Sequence, residues 1–102
     1  MHTFGDLIKA AREQKGLILR QAAASLDIDQ AIISKLERGD RKPTKEQIEK
    51  FAEFYQLSKN ELITSWLSDK VVYSVMEEDN AEEILKVAEE KVKYLKTIQN
   101  GK

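Results

Sequence analysis

An all-helical fold, five short helices in one compact domain followed by a helical extension, is what this 102-residue sequence predicts. Three observations predict it. Apolar residues recur at spacings of three and four along most of the chain, which gathers them on one face of a helix. Side chains able to cap helix starts stand just before those runs. With one proline and four glycines, breakers are few, and they fall between or at the edges of the runs.

Phe4, Leu7, Ile8 and Ala11 form the first stripe. Thr3 with Asp6 opens it as an acidic variant of a capping box, and Gly16 closes it after Lys15. Residues 19–26 make a short second helix with Ala22, Ala23 and Leu26 inward. Asp27-Ile28-Asp29 is a turn, and Asp29 caps a third helix over 30–38, whose inward residues are Ile33 and Leu36. Gly39 is its left-handed stop. Thr44 with Gln47 opens a fourth helix with the stripe Ile48, Phe51, Ala52 and Tyr55. Ser58 with Glu61 opens a fifth, with Leu62, Ile63, Trp66 and Leu67 apolar; it either runs on through 68–76 or kinks there. The β-branched stretch 71–75 is where a strand would most readily replace helix. Glu77-Glu78-Asp79-Asn80 is an acidic break, and Asn80 with Glu83 caps a last helix over roughly 81–98. A core of Leu7, Ile8, Leu17, Ala22, Ala23, Leu26, Ile28, Ile33, Leu36, Ile48, Phe51 and Leu62 follows from these stripes. The domain so outlined spans 1–67, and the extension 68–102.

Composition narrows the function. There is no cysteine and one histidine, His2, so neither a thiolate nor a Ser-His-Asp nucleophile can be assembled, and no glycine-rich phosphate loop is present. No enzyme, cofactor or metal site is expected. The chain shows no membrane span and no signal-peptide pattern, and its lack of cysteine fits a cytoplasmic protein. Residues 1–43 carry eight Lys/Arg against six Asp/Glu, while 44–102 carry nine against twelve, so the first part is net +2 and the rest −3. That asymmetry suggests a polyanionic partner for the first part. Tyr55, Trp66 and Tyr73 read as core or interface residues rather than base-stacking platforms, which leaves little support for RNA binding.

The helices over 19–26 and 30–38, joined by a three-residue turn, form a helix-turn-helix, the motif being 19–38. Ala22 and Ala23 let the two helices cross closely, Asp27 tolerates the turn, and Ile28 plugs the angle between them. With Ile33 and Leu36 inward, Gln30, Ala31, Ser34 and Lys35 point out.

The segment "GLILRQAAASLDIDQAIISKLERGDRKPT" (16–44) resembles the Cro/repressor-type, or Xre-type, helix-turn-helix family, most specifically in "IISKLERGDRKP". The resemblance covers roughly residues 4–66. It implies a repressor-like DNA-binding domain whose recognition helix, 30–38, lies in the major groove of double-stranded DNA. It implies base contacts from Gln30, Ala31, Ile32, Ser34 and Lys35, and phosphate contacts from Arg20, Arg38, Arg41 and Lys42. It also implies an internal salt bridge between Arg12 and Glu37. Ile18 and Leu19 depart from the family, which has Ser or Thr and then Gln there. Either Arg20 replaces the missing phosphate contact, or Ile18 and Leu19 form an apolar patch for a protein partner. Asp27 and Asp29 place acid near the DNA side.

The stripe Ile84, Leu85, Ala88, Val92, Leu95 and Ile98 is more apolar surface than a DNA-binding domain needs. A lone helix of that length is marginal in water, so it folds back or pairs. Pairing in a homodimer is expected, since such readers bind inverted repeats as two-fold dimers. The reading is a homodimeric, sequence-specific regulator binding operator DNA. The alternative is an antitoxin-like interaction module whose extension binds a toxin or enzyme.

Overall fold

Most helices of the first part start beside a side chain that accepts from a free amide, and three of them stop at a left-handed residue. The computed structural model describes residues 2–100 and has six helices there. They are α1 (Phe4–Gln14), α2 (Leu19–Leu26), α3 (Gln30–Arg38), α4 (Lys45–Tyr55), α5 (Lys59–Val75) and α6 (Ala81–Asn100). At α1 the Asp6 N–H donates to Thr3 Oγ1 at 3.2 Å, and the Thr3 N–H donates to Asp6 Oδ2 at 3.1 Å. The backbone and hydroxyl of Thr3 hold the Asp6 carboxyl below its ordinary range. Thr44 and Gln47 repeat the arrangement at α4. Asp29 Oδ1 accepts from the Ala31 N–H at 2.8 Å and so caps α3. Helix α2 stops at Asp27 (φ 54°), α3 at Gly39 (φ 78°) and α4 at Gln56 (φ 56°), all left-handed. Nothing in the sequence marks Gln56 for that role. Helix α5 runs through to Val75, so the β-branched stretch is helical.

Two compact units divide the chain, the first ending at Asp69 and the second beginning at Lys70. In the first, α1 and α2 each lie against both α3 and α4. Ile8, Ile33, Leu36, Ile48, Phe51 and Leu62 are wholly buried, with Ala22, Leu26 and Ile28 around them. Leu7, Leu17 and Ala23, expected inside, are half-buried, with Leu7 and Ala23 packed against the margin of the core. Phe4, Ala11, Ala52 and Tyr55 are buried instead. Phe4 meets the Phe51 ring edge-on at 6.2 Å, and Phe51 stacks on Tyr55 at 6.1 Å. The Phe4 N–H donates to Asp69 Oδ2 at 2.9 Å, so α5 satisfies an amide in the first turn of α1.

Gly5 sits where α1 touches the end of α3. A Cβ there would fall 2.8 Å from the Leu36 carbonyl oxygen and closer still to that of Glu37. Both obstacles are backbone, so neither can swing aside.

The second unit holds the end of α5, a turn and α6. Among its described residues none is buried. No helix among the described residues is long and apolar enough to cross a membrane.

Two outcomes are expected. Gly5→Ala lowers the urea midpoint, with a cost of about 1–3 kcal/mol from overpacking. Tyr55 is 6% exposed and its hydroxyl has no hydrogen-bond partner among the described residues. Burial pushes this phenol up to about 12. The unfolded chain ionises it near pH 10, so Tyr55 draws stability down as pH climbs from about 10 to about 12. Tyr55→Phe therefore changes little at pH 7 and unfolds less readily above pH 10, by about 1–2 kcal/mol, as read by alkaline urea titration.

Candidate nucleic-acid interface

The pose of α3 is set from behind. Arg12, near the end of α1, donates through Nε to Glu37 Oε2 at 2.8 Å and through Nη2 to Glu37 Oε1 at 2.9 Å. Its third nitrogen, Nη1, donates to the Leu17 carbonyl at 2.9 Å. Side-chain exposures of 12% for Arg12 and 6% for Glu37 make this a largely desolvated, bidentate pair. The hydrogen bond to Glu37 raises the Arg12 pKa further. One guanidinium thus joins the end of α1, the approach to α2 and the end of α3.

With that anchor behind it, α3 turns a polar face outward. Gln30, Ala31 and Lys35 are exposed, while Ile33 and Leu36 are buried. Ile32 is half-buried and packed on the core, along a cleft that also involves Thr44, Gln47 and Lys50. Ser34 is half-buried too, and its Oγ accepts from Arg38 Nη1 at 2.8 Å. Arg38 Nε donates to Asp40 Oδ2 at 3.0 Å. Two of the residues singled out in the sequence, Ser34 and Arg38, are therefore engaged with each other, and Arg38 with an acid two residues on. That ion pair is well exposed on both sides, so it is weak and exchangeable. Arg41 and Lys42 are exposed and make no ion pair among the described residues, and neither do Arg20 and Lys35. Pro43, next to Lys42, is buried and fastens the basic turn to the domain.

A cleft of about 430 Å³ lies between α1, the start of α2 and α3, lined by Asp6, Lys9, Arg12, Leu19, Ser34, Glu37 and Arg38. Lys9 is an exposed cation on this cleft that no motif in the sequence marks. At its edge, α2 begins differently from the other helices of the unit. The Ile18 N–H donates to Gln21 Oε1 at 3.0 Å, but Ile18 offers no side-chain acceptor in return. Ile18 is 52% exposed.

A helix-turn-helix family profile matches residues 8–62 of the chain. Among solved structures, a chain of the complex between the SinR and SinI proteins superposes with a TM-score of 0.57. The superposition covers 93% of this chain and 99% of that one, at 20% sequence identity, which makes it a likeness of fold. Among curated proteins none matches.

Replacing Arg12 by Met leaves the Glu37 carboxylate without its partner in a desolvated place. The expected cost is about 3 kcal/mol in urea unfolding. Arg12→Met with Glu37→Met, which removes both charges, recovers most of that loss. A single-variant cost below about 1 kcal/mol would mark the pair as ordinary surface charge.

Proposed function

The chain belongs to the helix-turn-helix family, and from that premise we propose that it is a transcriptional regulator that binds operator DNA as a homodimer, with α3 in the major groove. The observation that carries this is the combination on α3 and the turn after it. Gln30, Ala31 and Lys35 are exposed on α3, and Gly39 ends the helix just before the exposed Arg41 and Lys42. Gln30 offers an amide for adenine, Ala31 a methyl for thymine, and Lys35 an ammonium for guanine or a phosphate. Arg41, Lys42 and Arg20 would hold phosphates, and Arg38 would join them by exchanging Asp40 for a phosphate oxygen. Ser34 and Ile32 would act at the margin, one through Arg38 and the other by shaping the edge of α3. Ile84, Leu85, Ala88, Val92, Leu95 and Ile98 would supply the dimer contact.

A second reading has support of its own. Ile18 is exposed at the start of α2, where the family has a capping Ser or Thr, while Leu19, in place of the family's phosphate-binding Gln, packs against the core. The SinR and SinI proteins were solved as a complex of one protein with another. Both fit a chain that also engages a regulatory protein partner.

The test uses operators selected from a pool of random duplexes. Lys35→Ala with Arg41→Ala is expected to lower affinity about 10- to 100-fold. It should also flatten the dependence of log affinity on log salt by about 1–2 units of slope. Unchanged affinity and slope in this variant would remove the DNA-reading role from these residues.

A further inference from the structure

Helix α6 buries none of its residues, yet its apolar positions are regular. Ala81, Leu85, Ala88, Val92 and Leu95 follow one another at spacings of four, three, four and three, which is the seam of a two-helix coiled coil. Val92 is 52% and Leu95 56% exposed. A 20-residue helix this bare is marginal in water until the seam is covered.

The charges on the same helix say how. Residues 81–90 hold four glutamates and one lysine, net −3; residues 91–100 hold three lysines and no acid, net +3. The helix dipole accounts for Glu82 and Glu83, which lie in the first turn. It does not account for Glu89 and Glu90 at mid-helix, nor for Lys91, Lys93 and Lys96, since the last turn carries no base. A helix divided in this way is complementary to its own reverse. Laid parallel to a copy, it sets acid on acid along one half and lysine on lysine along the other.

We propose that α6 pairs antiparallel with α6 of a second copy, Leu85 facing Leu95 and Ala88 facing Val92 across a two-fold axis. This rests on the homodimer reading above and fixes its geometry. The seam residues match in this register, and the alanines allow close approach of the two backbones. Glu82 comes opposite Lys96 on the outer flank. Near the axis Glu89 meets its own copy on one flank and Lys91 its own copy on the other, both exposed to solvent, and Glu89 also has Lys93 of the same helix at 3.2 Å, so these like-charge contacts are weakly repulsive.

The chain has no cysteine, which makes cross-linking a clean test. Full-length Leu85→Cys, Leu95→Cys and the double variant are oxidised in solution. In an antiparallel pair the two copies of position 85 lie about 15 Å apart, far beyond disulfide reach, and so do the two copies of position 95. The expected result is a covalent dimer from the double variant alone, with residue 85 of one copy mapped to residue 95 of the other. Disulfide dimers from each single variant would show parallel pairing and overturn the proposal. A dimer in sedimentation that forms no disulfide in any variant would overturn it too, while leaving the homodimer intact. A monomeric unmodified chain at all concentrations would remove the homodimer itself.

Discussion

The guanidinium of Arg12 is the point on which the first unit turns. Its three nitrogens are all committed, two to Glu37 and one to the Leu17 carbonyl. A planar fork with fixed donor directions sets angle as well as distance. A lysine would supply charge at this spot without holding three segments in one relative pose. Gly5 complements it on the same two helices: backbone approaches backbone at one point while the ion pair fixes another. The outer face of α3 is thus presented by contacts made on its inner and C-terminal side, and its exposed residues need no structural duty of their own.

Much of this is readable from residue types because helix ends are local chemistry. Thr3, Asp29, Thr44 and Gly39 each act within four residues of their partners, so sequence order carries the information. The stripe of α4 is legible for the same reason, through periodicity. What stays hidden depends on distant or degenerate relations. Gly5 has no pattern around it, and its neighbours are backbone atoms more than thirty positions away. The bond from the Phe4 amide to Asp69 crosses 65 residues. Gln56 is a glutamine doing what glycine usually does, so no propensity flags it. Leu17 lies in the link between α1 and α2, outside either stripe, and Ala23 sits in the middle of α2 on the flank of the buried Ala22, so neither is wholly covered.

The candidate interface divides along similar lines. Which residues of α3 face outward follows from Ile33 and Leu36, and the exposure of Gln30, Ala31 and Lys35 accords with that periodicity. How each polar group is already occupied does not follow from periodicity. Arg38 reads as a free cation in a basic run, yet Asp40 and Ser34 hold it. Lys9 reads as a solvated lysine, and only the packing of α1 beside α3 brings it to the shared cleft. The second unit is a contrast in how stability is obtained. Its helix has a seam and segregated charge in place of a core, which suits a segment completed by something outside its own chain.

The link between the Phe4 amide and the Asp69 carboxylate has a bearing on modularity. It makes the eleventh residue of α5 a working part of the reader, although the helix runs six residues further. A recombination event that exchanged tails among relatives would have to cut beyond this aspartate to deliver an intact reading head. The boundary between the two compact units therefore falls inside a helix, not in a loop.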